Sequence, residues 1–282
     1  MLKQRVLTAL LLLPIAIAAI FMLPLQGFAI TIAVVMVLAA REWGAFVMPG
    51  VAPAKVSYGV TIAILLVALL LIVPADQVWV QQQLHPLYQA ITIAGALWWL
   101  GALALVLSYP GSATMWQHKP MLKALFGQLT IIPCFTAMVA LKAWHGQFDG
   151  AWLVLAVLLL VWGADTGAYF VGKSIGKTKL IPKVSPGKTR EGLAGGMVVC
   201  AVLSLVAWKM VPNINLIEAL ILGMVTGLAS ALGDLSESMF KRAANIKDSG
   251  RLLPGHGGVL DRIDSVTAAM PVFVTLLLLF GA

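Results

Sequence analysis

The sequence predicts an all-α, polytopic integral membrane protein of about nine transmembrane helices, with a cytoplasmic N-terminus and a periplasmic C-terminus. Three observations predict it. Hydrophobic residues make up 61% of the 282, charged residues only 11%, and mean hydropathy is +0.97, whereas a soluble domain carries about 25% charged residues. Apolar runs approaching the roughly 20 residues of a membrane helix recur along the whole chain. With the N-terminus inside, every one of the 19 Lys and Arg except Lys142 and Lys209 falls on an inside segment, which is the positive-inside pattern. The net charge of +8 therefore reads as membrane topology and gives no case for nucleic-acid binding.

The first run, Val6–Leu23, follows a charged start and mimics a signal peptide. It is long for one and no small-X-small cleavage site follows it, so it reads as an uncleaved span. Gly27–Phe46 comes after a very short turn at Pro24-Leu25-Gln26, which makes the first two spans a helical hairpin. Val56–Val73 and Tyr88–Leu107 are the third and fourth. A Pro110-Gly111-Ser112 loop separates the fourth from the fifth, Met121–Leu141. Ala151–Val171, Leu193–Val211, Leu216–Phe240 and Ile263–Phe280 complete the set. Cys134 and Cys200 lie inside apolar runs, far from any Cys-X-X-Cys or His partner, and read as small core residues. Residues 1–150 hold spans one to five. Residues 151–282 hold spans six to nine and the only two elaborate loops, both on the inside, so this half is the expected catalytic region.

The loop after span six begins with Asp165, a carboxylate within an apolar run. Such a group costs about 2.5–3.5 kcal/mol at a span centre on insertion scales, so it should face a wet cavity, a cation or a neighbouring helix. Beyond it come Lys173, Lys177, Lys179, Lys188 and Arg190. A P-loop is excluded: Gly176-Lys177-Thr178 would need glycine at Val171, Gly187-Lys188-Thr189 would need it at Pro182, and no strand is expected before either. A basic loop with glycines still suits phosphates, through Lys188 and backbone amides. Lys173, Lys177 and Lys179 fit anionic lipid headgroups equally well.

The loop between spans eight and nine, from Ser238 to Asp264, carries five cations, three aspartates, His256 and four glycines. Cations hold phosphates, aspartates hold hard divalent metals, and glycines admit a ligand close to the backbone. On a helix, Asp234, Ser238, Lys241 and Arg242 share one face through i,i+3 and i,i+4 steps, with Glu237 beside it. Pairing within the helix, Asp234 with Ser238 or Glu237 with Lys241, is the plainer alternative. Asp261 and Asp264 share a face at the start of span nine, where a capping role would account for one of them. His256 reads as a hydrogen-bonding loop residue more readily than as a metal ligand. Transport is disfavoured, because the charges gather at one face and no inverted repeat is visible.

The run Ser238–Asp264 fills every fixed position of S-x-x-K-R-x4-K-D followed by P-x-H-G-G-x-x-D-R-x-D. In this it resembles the CDP-diacylglycerol synthases, or phosphatidate cytidylyltransferases, of bacterial type. The loop from Asp165 to Gly192 and the whole span pattern are similar to that family as well. The resemblance implies that CTP and phosphatidic acid yield CDP-diacylglycerol and pyrophosphate at the bacterial inner membrane, with membrane lipid as surroundings. It implies Mg²⁺, alone or with a second cation, and a monomer or homodimer. It points to Asp234 and Asp261 as metal ligands, to which Asp264 and Asp165 are added. Ser238, Lys241 and Arg242 are expected at the phosphates. Asp165, Lys188, Arg190, Lys247, Asp248, His256, Gly257, Gly258 and Arg262 are expected at the substrates. A CTP-using polyprenol or dolichol kinase relative is the nearest alternative enzyme.

Overall fold

The computed structural model describes residues 2–144, 149–211, 214–253, 255 and 257–280, of which 2–9 by their backbone alone. The chain runs α1 (Leu2–Met22), α2 (Leu25–Val47), α3 (Ala52–Ile72), a short 3-10 turn, the two-residue strands β1 (Trp79–Val80) and β2 (Gln83–Leu84), α4 (Pro86–Leu107), a single turn α5 (Ala113–Trp116), α6 (Pro120–Lys142), α7 (Gly150–Ile175), the strands β3 (Lys179–Ile181) and β4 (Ser185–Thr189), α8 (Arg190–Met210), α9 (Leu216–Ala243) and α10 (Leu260–Leu279). Eight of these helices are long and apolar enough to cross a membrane, and the Leu10–Met22 part of α1 is a shorter apolar stretch. The chain is thus an all-α, multi-pass membrane protein, and each expected span coincides with one long helix.

The helices form because apolar residues run around their whole circumference, and backbone polar groups in lipid must be satisfied within the helix. Outward faces carry large apolar side chains such as Leu71 and Leu100, which are 78% and 66% exposed. Inward faces build one continuous core, in which α6 is the most deeply buried span. The closest partnerships join α7 to α8, α9 to α10 and α2 to α3. In the first of these, a Cβ at Gly167 would lie 2.8 Å from the Gly195 carbonyl oxygen, so small residues are what let the two backbones meet. Both cysteines are free and buried.

Helix ends are fixed by polar side chains. Asn215 and Glu218 form a reciprocal capping box on α9, and Thr189 caps α8 by accepting from the Gly192 amide. The α7–α8 connection is a structured antiparallel hairpin, β3 with β4, in which Lys179 pairs with Thr189 and Ile181 with Ser185. One end of the bundle gathers the C-termini of α2, α7 and α9 and the N-termini of α6, α8 and α10. Long-range bonds tie this end together, among them Trp43 Nε1 to the Lys123 carbonyl at 2.9 Å.

Candidate active site

At this polar end, the hairpin delivers Lys188 to α9, where its Nζ lies 2.7 Å from Asp234 Oδ2. The hairpin is held in place by Glu191, whose carboxylate accepts from the Lys177 and Thr178 amides at 3.0–3.2 Å. Arg242 Nε, from α9, donates to the Val184 carbonyl at 3.3 Å and fastens the turn. Between α7, α8, α9 and the hairpin lies a cavity of about 410 Å³, lined by Asp165, Lys173, Lys188 and Asp234 on its charged side and by Leu193, Met197 and other apolar groups on the opposite one. Asp165 lies within the electrostatic reach of both Lys188 and Asp234. An apolar wall against paired charges, at the end of a membrane bundle, is suited to a ligand with a lipid part and an anionic part.

About two helical turns along α9, Lys241 Nζ bridges Glu237 Oε2 at 2.6 Å and Asp261 Oδ1 at 2.8 Å. Asp261 also accepts from the Ser249 amide at 3.1–3.2 Å and from the Gly258 amide at 2.8 Å. It therefore anchors the loop and caps α10 at once. Asp264 accepts from the Ser265 amide at 2.7 Å, and its charge is felt by Glu237. Glu237 Oε1 is buried and has no hydrogen-bond partner among the described residues, an exception that calls for an explanation. Ser238 donates to Asp234 Oδ1 at 3.3 Å.

The loop before α10 rests on a residue that the sequence reading passed over. Glu42, near the end of α2, is 7% exposed. It accepts from Ser249 Oγ at 3.1 Å, from the Val259 amide at 3.1 Å and from the Leu260 amide at 2.8 Å. Val259, the N-cap of α10, offers no side-chain acceptor, so Glu42 supplies acceptors for the Val259 and Leu260 amides that Asp261 does not reach. Gly258 is required here, because a Cβ would collide with Glu42 Oε2 and Ser249 Oγ, and Gly257 holds a left-handed φ of 86°.

The fold thus unites the two polar loops. It brings Asp165, Lys188 and Asp234 around one cavity and sets Ser238, Lys241, Asp261 and Asp264 beside them. Both pairings within α9, Asp234 with Ser238 and Glu237 with Lys241, are present together with bonds to other elements. Arg190, Lys247, Asp248 and Arg262 are exposed and do not line the cavity. His256 lies outside the described residues. Among the described residues, no three His, Cys, Asp or Glu side chains group closely enough to enclose one metal ion. The acids Asp234, Glu237 and Asp261 instead face lysine ammonium groups.

The family model described as "Cytidylyltransferase family" matches residues 3–280. The phosphatidate cytidylyltransferase of Pseudomonas aeruginosa is 43% identical over 279 residues, covering 98% of this chain and 97% of its own. That of Haemophilus influenzae is 40% identical over 282 residues, with 97% of each chain covered. The Bacillus subtilis phosphatidate cytidylyltransferase is 47% identical over 136 residues, about half of either chain at 47% and 49%.

Proposed function

The chain belongs to the cytidylyltransferase family, and from that premise we propose that it acts as a phosphatidate cytidylyltransferase. It transfers the cytidylyl group of CTP to phosphatidic acid, giving CDP-diacylglycerol and pyrophosphate. The observation that carries the reading is the convergence of Asp165, Lys188 and Asp234 on one cavity with an apolar wall, beside the Lys241 ion pairs. A phosphate oxygen of phosphatidate attacks the α-phosphorus of CTP. The new P–O bond forms as the bond between the α-phosphorus and the α,β-bridging oxygen of CTP breaks, and that oxygen leaves on pyrophosphate with the electron pair. The attacking phosphate is already anionic at neutral pH, so no strong general base is needed. The protein's task is to hold two mutually repelling anions in line and to meet the charge that develops.

Lys188 sits at the lipid-side cavity and takes the phosphatidate phosphate. Lys241 and Arg242, on the adjoining turn of α9, take the CTP phosphates, with Ser238 donating beside them. The exposed Arg190, Lys247 and Arg262 draw the nucleotide in, Asp248, Gly257 and Gly258 belong to the loop beside it, and His256 is assigned to the substrates with them. Asp234, with Asp261 or Asp264, would hold Mg²⁺. The donors fit a hard cation: they are carboxylate oxygens, and two of the three already face a cationic ammonium at 2.7–2.8 Å. Mg²⁺ commonly takes one or two carboxylates and completes its shell with water and substrate phosphates, so a three-acid cage is not required. When bound, the ion neutralises phosphate charge in the displacement. The reaction lies at the cytoplasmic face of a bacterial inner membrane. The concentration of Lys and Arg on the side of the polar loops supports that orientation.

The test is product release. The purified protein should liberate pyrophosphate from CTP only when phosphatidate is present, and chelation of divalent metal should abolish it. Pyrophosphate release without phosphatidate, or transfer of the γ-phosphate of CTP to a polyprenol with release of CDP, would reject this reading.

A further inference from the structure

A second pocket, of about 350 Å³, opens at the same end of the bundle and shares no lining residue with the Asp165–Asp234 cavity. The end of α2, the α5–α6 junction and the end of α9 enclose it. Its aromatic side is made by Phe46, Trp116 and Phe240, with 4.9 Å between the Trp116 and Phe240 ring centroids. Its charged or ionisable lining residues are His118 and Lys123, and no Asp or Glu lines it.

Two of these groups lack a partner. Lys123 is 6% exposed, and its ammonium has no hydrogen bond or ion pair among the described residues. Trp116 is 1% exposed, and its indole N–H is buried without an acceptor. α6 also begins here, with Pro120 at its first position and no side-chain cap from Lys119. The positive end of its dipole therefore faces the same region. A buried cation and a buried donor are costly unless an anionic acceptor completes them. The pocket lining offers the Lys123 ammonium and the His118 imidazole and no anion to meet them.

We propose that this pocket binds a phosphate group, carried by an anionic phospholipid headgroup or free in solution, at a site separate from the reacting substrates. The volume far exceeds that of a halide. Met48 at its edge and Met121 beside it are exposed, a rim compatible with an acyl-bearing ligand at the membrane boundary. Phe240 lines this pocket while the next residue, Lys241, pairs with Asp261. An occupant therefore bears on the same end of α9 that carries Lys241, from a different face of the helix.

The indole N–H of Trp116 gives a direct readout that does not depend on turnover. The full-length protein in micelles, labelled with ¹⁵N at the indoles of its nine tryptophans, would be titrated separately with dihexanoyl phosphatidylglycerol, inorganic phosphate and dihexanoyl phosphatidylcholine. Trp116→Phe assigns the resonance. The Trp116 signal should shift saturably with phosphatidylglycerol or with phosphate, and not with the zwitterionic lipid. Lys123→Gln should weaken that affinity about tenfold or more, as expected for one charged hydrogen bond, while the other indole signals stay in place. Response to phosphatidylglycerol alone assigns the site to lipid, and equal response to inorganic phosphate assigns it to the free ion. Absence of any shift overturns the proposal, as does an unchanged affinity in Lys123→Gln. If that variant loses the native spectrum, His118→Ala, an exposed position, decides. It should weaken binding several-fold, and an unchanged affinity there overturns the proposal too.

Discussion

Replacing Glu42 by Ala should loosen the loop over the active site without touching any group that meets substrate. The carboxylate accepts three hydrogen bonds, from Ser249 Oγ and from the Val259 and Leu260 amides. A hydrogen bond to a charged group is worth about 1.5–3 kcal/mol. The three share one carboxylate and are not additive, and water reaches part of the emptied space. Leaving a buried donor without its acceptor costs about 1–3 kcal/mol, so about 3 kcal/mol is the expected drop in the free energy of opening the backbone around Val259 and Leu260. At about 1.4 kcal/mol per factor of ten, the Val259 and Leu260 amides should exchange hydrogen about a hundredfold faster. Exchange in the middle of α6 should be unaffected. Glu42→Gln keeps the shape and one acceptor, but turns an NH₂ group towards the donors. Ser249 Oγ can rotate to accept from it, so this variant should fall between wild type and Ala. Cytidylyl transfer should decline in the same order as loop protection. Unchanged exchange at Val259 and Leu260 in Glu42→Ala would refute the argument that this acid holds the loop.

Asp234→Asn keeps shape and removes charge, so turnover should fall by a factor on the order of a hundred or more with the protein still folded in micelles; near-normal rates at ordinary Mg²⁺ would remove Asp234 from the reaction. Lys188→Ala should raise the apparent KM for phosphatidate in mixed micelles more than that for CTP, and the opposite bias would assign both polar loops to the nucleotide. Lys241→Met strands Glu237 and Asp261 without their cation and should lower stability by about 3–5 kcal/mol, read as a lower thermal midpoint; an unshifted midpoint would mean that the pairs contribute little. Cysteines introduced at Gln82 and Lys247 should label from opposite sides of the membrane, Gln82 from the periplasm, with little background from the buried Cys134 and Cys200; labelling of both from one side would contradict the proposed orientation.

The long helices were legible because lipid leaves the backbone no alternative to helices or closed barrels, and hydropathy measures that constraint directly. The pairs within α9 were legible for a different reason: helical period alone places Asp234 below Ser238 and Glu237 below Lys241. Period carries no information about neighbours from other elements. Lys188 with Asp234, and Lys241 with Asp261, depend on how the β3–β4 hairpin, α9 and α10 pack, so only the residue types could be named beforehand. Glu42 was the clearest omission. Its partners Val259 and Leu260 lie more than 200 residues away in sequence, and next to Arg41 it resembles an ordinary charge at a span end. The rule that singled out Asp165, an acid within an apolar run, applies to Glu42 as well and would have found it. The β3–β4 hairpin escaped notice because three- and five-residue strands in a Lys- and Gly-rich loop leave too short a pattern for any period to emerge.

The resting ion pairs bear on how such a site can handle two anions. Unpaired, Asp234 and Asp261 would repel incoming phosphates, while Lys188 and Lys241 would be charges left in a half-dry pocket. Paired, each neutralises the other and the site stays assembled while empty. On the proposed reaction, the lysines would turn to phosphate oxygens, and Asp234 and Asp261 would be the groups available to hold Mg²⁺, whose charge would offset that of the phosphates. The exchange conserves the number of charge contacts, so entry of substrate need not be opposed by a large loss of stability. Because Lys188 and Asp234 pair with each other at 2.7 Å, a phosphate that draws Lys188 away would leave Asp234 open to a cation. Glu237 is the member that cannot exchange freely. One of its oxygens is held by Lys241 at 2.6 Å and the other is buried without a partner. It therefore keeps Lys241 in place between the two arrangements, acting as a positioning residue for the lysine that meets the nucleotide.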